Sequence, residues 1–356
     1  MPANALLRPL PGSAPGIIPG APPLSDGFSP AQLWGALGLS LAICGALLWK
    51  AQLGVDLLRP GNAPYFLALA LAFAVRPVFG RTSFRWAEAA ADCAEYFAFF
   101  TAMALIGAVS SYPLAALSHG FADPWLQRAD EALRFNWLAW YEMAARHRSL
   151  QLLGMAAYQS IYVIPAALLA AFAIRGQRRE AHRFLAGFWL AALITLTLYL
   201  FMPAVGPLSY LWKGPIPYMP SSAIWQETLI PPLRAHELSR VNLDELRGLV
   251  SAPSFHTASG VLYIAAAWRC GNLRWPLICL SLAMLLSVPV EGTHYLSDMI
   301  IGAAVALAAL MLASRLIGRF GRKAPGLGAR PAVGEAEVGV NRHPANPSSS
   351  SPPARG

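Results

Sequence analysis

Three side chains in this chain have the types and spacing for covalent phosphoryl chemistry: His256, His294 and Asp298. His294 and Asp298 are four residues apart, so on a helix they share one face, one turn apart. A carboxylate there can hold one imidazole nitrogen, fix the tautomer and leave the other nitrogen free to attack. Attack of His294 on a phosphate ester would give a covalent intermediate. His256 is then the expected proton donor to the leaving oxygen, and later the base that activates the water or alcohol releasing the phosphate. Ser254, Thr257 and nearby backbone N–H groups at a helix start suit a bound phosphate, and the same residues also suit a plain helix cap.

The elements that must position these groups are apolar. Of 356 residues, 56% are hydrophobic and only 13% are charged, about half the charge of an ordinary soluble domain. The apolar residues gather into eight runs, at roughly 31–49, 63–80, 95–117, 152–174, 184–203, 255–269, 274–290 and 297–317. The expected fold class is all-α: a polytopic membrane helical bundle whose core of six helices covers 95–317, preceded by two additional spans over 31–80. The mixed segment 124–148, with Trp125, Trp137 and Trp140, suits interfacial helices. Residues 1–30 and 323–356 are rich in Pro, Gly, Ala or Ser and are expected to be disordered. Cys44, Cys93, Cys270 and Cys279 form no close pair and are expected to be packing residues.

The net charge of +9 is carried almost wholly by arginine. Its distribution fits membrane orientation and no nucleic-acid partner. Arg81 and Arg85, then Arg175, Arg178, Arg179 and Arg183, then Arg269 and Arg274, and lastly Arg315, Arg319, Arg322 and Lys323 all fall on one side if eight spans are threaded. That side is expected to be cytoplasmic. The segments near 118–150 and 204–254 then face outward, although Arg128, Arg134, Arg146 and Arg148 make the first of them basic too. The low Lys with high Arg and Ala suggests a bacterial inner membrane.

The hairpin 255–291 turns at Gly271-Asn272 and begins and ends on the same face. Each arm of roughly 16 residues would rise about 24 Å, nearly the hydrocarbon thickness. His256 opens the first arm and His294 follows the second, so both are expected together on the outward side. The loop 204–253 is expected to roof them and select the substrate.

Pro253-Ser254-Phe255-His256-Thr257 and Gly292-Thr293-His294-Tyr295-Leu296-Ser297-Asp298 resemble the second and third signatures of the type-2 phosphatidic acid phosphatase superfamily of membrane lipid phosphatases. The resemblance implies His294 as nucleophile, Asp298 as its orienting group and His256 as general acid/base; Ser254, Thr257 and Gly292 are the expected substrate-binding positions of the two motifs. It implies a membrane-lipid substrate and neither cofactor nor metal. Two departures stand out. The arginine usual six residues before the nucleophile is Val288 here, and the usual first signature is missing. Lys50 with Arg59-Pro60 has the wrong spacing for it and lies outside the core. Phe201-Met202-Pro203-Ala204-Val205-Gly206-Pro207 and Pro289-Val290-Glu291-Gly292 look instead like the branch of inositol phosphorylceramide synthases, which move a phospho-headgroup from phosphatidylinositol to a ceramide.

With Val288 in the arginine position, phosphate charge must be balanced elsewhere. Arg234 and Arg247 are the expected groups among Lys213, Arg234, Arg240 and Arg247 on the outward loop. Glu291 suits pKa tuning, polyol binding or a plain interfacial role. Two readings compete: a metal-dependent membrane hydrolase with the two histidines and Asp298 as ligands, and a non-catalytic transporter or scaffold with Tyr158, Gln159 and Pro165 lining a path.

Overall fold

The computed structural model describes residues 28–79 and 86–322. Residues 1–27 of the expected N-terminal lead, the tail 323–356, and Arg81 and Arg85 lie outside the described residues. The chain is a helical bundle. In order, its helices are α1 (Pro30–Lys50), α2 (Ala63–Phe79), α3 (Ala87–Leu117), α4 (Asp123–Ala132), α5 (Trp137–Arg146), α6 (Arg148–Ile174), α7 (Arg178–Phe201), α8 (Pro207–Leu211), α9 (Trp225–Arg234), α10 (Phe255–Ala267), α11 (Arg274–Glu291) and α12 (Leu296–Arg322). The described strands are a two-residue parallel pair, β1 (Gly54–Val55) with β2 (Arg240–Val241).

Among the described residues, six helices are long and apolar enough to cross a membrane: α1, α3, α6, α7, α11 with the turn before it, and α12. This is a multi-pass membrane protein. Two of the eight expected spans are shorter. α2 has 17 residues and α10 only 13, a rise of about 20 Å for α10. The first hairpin arm therefore falls short of the 16 residues expected of it. It starts at Phe255 as expected, after the Ser254 cap, and stops at Ala267 because the turn into Gly271–Leu273 begins there; Ala252 and Ser254, just before it, are fully buried. His256, in the first turn of α10, is half-buried.

The core packs α6 on α11, α7 on α12 and α3, and α10 between α11 and α12, while α1 and α2 lie against α3. Its centre is apolar: Ile164, Leu168 and Phe172 of α6 meet Phe184 and Phe188 of α7 and Leu262 and Met284 of the hairpin. Several of the basic positions meet at one end of the bundle. There Arg178 pairs with Asp92 at 2.7 Å, Arg269 with Glu180 at 3.5 Å, and Arg183 donates to Ser314 at 2.9 Å. The two histidine motifs are at the opposite end, where α10 starts and α11 stops.

The segment 118–148 folds into two short amphipathic helices, α4 and α5, as its mixed composition suggests. Trp125 and Trp140 are exposed, but Trp137 is buried and donates its indole N–H to Pro289 O at 2.7 Å. That tryptophan is an internal anchor to α11 and not a headgroup contact. The loop 204–253 is not structureless: it carries α8, α9 and β2.

Candidate active site

Each catalytic candidate is set by a helix end. Ser254 caps α10, its hydroxyl accepting from Thr257 N at 3.2 Å and from Thr257 Oγ1 at 3.1 Å. The cap fixes the first turn, and with it His256. The His256 ring stacks on Tyr158 of α6, with centroids 4.3 Å apart and planes 16° apart. Its Nδ1 lies 3.4 Å from the Tyr158 hydroxyl. Tyr158 thus packs against a candidate catalytic ring; its aromatic type gave no sequence signal beyond a polar residue within a span.

α12 begins just beyond His294. The His294 Nδ1 lies 3.0 Å from Asp298 Oδ1, and the other carboxylate oxygen accepts from Tyr295 N at 2.9 Å. Both side chains are buried, Asp298 completely. This arrangement assigns Nδ1 to the carboxylate and leaves Nε2 without a contact to Asp298. The centroids of His256 and His294 are 6.1 Å apart. The two strings, nearly forty residues apart in sequence, thus bring their rings together, close enough for both to touch a single phosphoryl group.

Backbone spacing brings them together. A Cβ on Gly302 of α12 would collide with the carbonyl oxygen of Ser254, so the starts of α10 and α12 cross backbone to backbone. A Cβ on Gly292 would come within 2.6 Å of His294 Cδ2 and 2.8 Å of Val288 O. The Gly292 N–H is used in a 3.0 Å bond to Val288 O, so this glycine clears space for the imidazole. Thr293 has φ of 49°, the left-handed region that non-glycine residues seldom occupy, and it turns the chain between Gly292 and His294.

Two aspartates that sequence reasoning missed hold this turn from outside the bundle. Asp130 of α4 is fully buried and accepts from Leu296 N at 2.9 Å and Ser297 N at 2.7 Å. Asp123 accepts from Val205 N and Gly206 N, both at 2.9 Å, and from the Tyr295 hydroxyl at 3.0 Å. Burial pushes the Asp123 carboxyl up, opposed by the bonds from Val205, Tyr295 and Gly206. Gly206 has φ of +92°, and a Cβ there would press on Thr293 O at 2.9 Å. The Pro-Ala-Val-Gly-Pro string is therefore a backbone neighbour of the turn carrying His294.

Glu291 is also buried. Its oxygens accept from the Tyr218 hydroxyl at 2.6 Å, Ser221 N at 3.1 Å and Ser221 Oγ at 2.7 Å, and its carbonyl accepts from Ser222 N at 2.9 Å. Glu291 ties the loop 204–253 to the end of α11. The adjacent Glu291 carboxylate raises the Tyr218 hydroxyl further, after burial, the larger cause.

Arg234 and Arg247 are engaged elsewhere. Arg234 Nη2 donates to Ser118 Oγ at 2.9 Å and Gly120 O at 2.7 Å, and its guanidinium lies 4.5 Å over the Phe121 ring. Arg247 stacks 4.5 Å over Trp225, and its backbone N–H donates to the Tyr112 hydroxyl at 2.9 Å. Among the described contacts, none joins either arginine to His256, His294 or Asp298. Val288, in the position of the usual phosphate-binding arginine, is fully buried. Among the described residues, no three His, Cys, Asp or Glu side chains are grouped to hold a metal ion. Asp298 is turned toward His294 and the Tyr295 amide.

Residues 124–312, more than half of the chain, match the PAP2 superfamily. The chain belongs to that superfamily. It is a phosphatase-type enzyme of the membrane, and the match covers α4 through most of α12, with every residue of the His256–His294–Asp298 site inside it. No curated protein and no solved structure gives a significant match. The match extends to the short amphipathic helices α4 and α5 as well as to the spans, so α4 falls within the matched region and is not an appendage.

Proposed function

We propose that this PAP2 superfamily member cleaves a lipid phosphate ester through a phosphohistidine at His294, and passes the phosphoryl-containing group to water or to a lipid alcohol. The observation that carries the reading is the buried 3.0 Å contact of His294 Nδ1 with Asp298, beside a second imidazole 6.1 Å away. In the first half-reaction His294 Nε2 attacks phosphorus, the bond from phosphorus to the leaving oxygen breaks, and protonated His256 gives its proton to that oxygen. In the second, neutral His256 takes the proton of the incoming water or alcohol, whose oxygen displaces His294 from phosphorus. Asp298 stabilises the positive charge that the His294 ring acquires when it attacks.

Ser254 has a supporting place in this scheme. Its oxygen already accepts two bonds from Thr257, which leaves its single O–H free to donate to a phosphoryl oxygen. The amide groups at the start of α10 favour the same negative charge. The cluster of arginines at the far end of the bundle fits an active site on the outward face of a cell membrane.

Headgroup transfer onto a ceramide-like acceptor is the finer form of the proposal, drawn from the likeness of the 201–207 and 289–295 strings to inositol phosphorylceramide synthases. The purified protein, offered a panel of phospholipids with and without ceramide or diacylglycerol, tests it. Phosphate release without acceptor identifies a hydrolase, and a new phospholipid that forms only with acceptor identifies a transferase. An acid-labile, base-stable phosphoramidate on His294, absent from His294→Ala, and inhibition by vanadate support the intermediate. Loss of activity with a chelator, restored by a divalent cation, would overturn it in favour of a metal-dependent hydrolase.

A further inference from the structure

We propose that Asp130, on an interfacial helix outside the bundle, is a positioning residue for the nucleophile, with Asp123 as the second anchor of the same helix. The proposal rests on the phosphohistidine reading above and extends it to α4.

The first turn of any helix leaves its N–H groups without partners inside the helix, and a local Ser, Thr, Asp or Asn usually supplies one. α12 has no such residue in place: the residue before Leu296 is Tyr295, whose side chain cannot cap. Its first turn is satisfied by two carboxylates instead. Asp298, from within the turn, takes Tyr295 N, and Asp130, from 166 residues earlier, takes Leu296 N and Ser297 N with one oxygen each. A third bond, Ser297 Oγ to Leu126 O at 3.1 Å, joins the same two helices. The bidentate grip on successive amides defines both the height and the rotation of the turn. His294 precedes that turn and Asp298 lies within it, so the geometry of their contact is inherited from α4.

Asp123 fixes α4 in turn. It sits at the first position of the helix, and its oxygens reach the Tyr295 hydroxyl and the amides of Val205 and Gly206. Leu126 of the same helix is fully buried against Tyr295, Ala204 and Ala252. The hydrogen-bonded anchors Asp123 and Asp130 therefore land on the turn carrying His294 or on the Val205–Gly206 backbone beside it. A displacement of about 1 Å in a reacting group can cost about 10²-fold in rate, so a clamp at this distance acts on turnover without touching substrate.

The test uses the full chain in lipid nanodiscs, with turnover expressed per vanadate-binding site so that misfolded protein does not count. Asp130→Ala is expected to lower kcat per site about 10²-fold with KM unchanged. Asp130→Asn, which keeps one acceptor oxygen, should recover part of the loss. Glu131→Ala, an exposed carboxylate next door, should leave turnover as it is. Hydrogen–deuterium exchange should quicken at amides 295–298 in Asp130→Ala and not in α6 or α7. Wild-type turnover per site in Asp130→Ala, a change confined to KM, or unchanged exchange at 295–298 would each overturn the clamp. A wild-type protein that turns over no phospholipid would instead sink the proposed function, and the exchange measurement would still decide whether Asp130 holds the turn.

Discussion

The two halves of the loop between α7 and α10 reach the end of the bundle by opposite chemistry. From residue 203 to 223 the chain is held by buried carboxylates: Asp123 takes the amides of Val205 and Gly206, and Glu291 takes Tyr218 and Ser221. From residue 224 to 250 it is held by arginines, Arg234 on Ser118, Gly120 and Phe121, and Arg247 on Trp225. The carboxylate half adjoins the turn with His294, while the arginine half packs on the ends of α1, α3 and α7 around Tyr112 and Tyr199. Carboxylates accept from N–H groups and so can fix a backbone turn at two points without adding a side chain to the pocket. Arginines at a loop base bridge carbonyls and aromatic faces, which suits scaffolding. The two arginines expected to balance the phosphate, Arg234 and Arg247, are thus spent on the half of the loop away from the histidines.

This contrast can be broken at several strengths. The largest effect is expected at the nucleophile: His294→Ala should remove at least about 10⁴-fold of turnover per folded protein, read as phosphate release, together with the phosphoramidate signal. His256→Ala should cost about 10²–10⁴-fold on a natural lipid. The loss should be smaller on an aryl phosphate, whose leaving oxygen needs no proton. Gly292→Ala comes next at about 10²-fold, because the new methyl must displace the imidazole or the Val288 carbonyl; kcat should fall while vanadate still binds. Glu291→Gln should weaken the tie to residues 218–222 by about 1–3 kcal/mol, seen as faster proteolysis within that loop. The smallest catalytic effect is expected for Arg234→Ala. Turnover per site should stay near wild type while the unfolding temperature drops, since Ser118 and Gly120 lose their donor. A rise in KM for phosphate-bearing substrates in that variant would reverse the assignment and return Arg234 to the pocket.

The parts of the site legible in sequence were those governed by short-range periodicity. The four-residue spacing of His294 and Asp298 needs only a helix to make them neighbours. The hairpin between 255 and 291 needs only two antiparallel arms to return His256 to the same end. The Ser254 cap is likewise local. The partners that hold the turn are not local: Asp130 and Leu296 are 166 residues apart, and no pattern on α4 distinguishes a buried carboxylate from a solvated one. Trp137 was misread for the same reason, since an interfacial tryptophan and one bonded to Pro289 look alike in composition. The start of α10 was placed correctly, but the apolar residues to 269 overstate its length, because hydropathy does not register where a helix stops and a turn begins.

The crossing of α10 and α12 at Gly302 has a wider implication. Where two main chains abut with nothing between them, the gap separating the imidazoles is dictated by peptide geometry and is insulated from whatever lines the outer surface of the bundle. Residues facing the acyl chains could then diversify to suit different lipids while the reactive pair keeps its spacing. A single methyl at that crossing would wedge the helices apart and alter the spacing for every lipid alike.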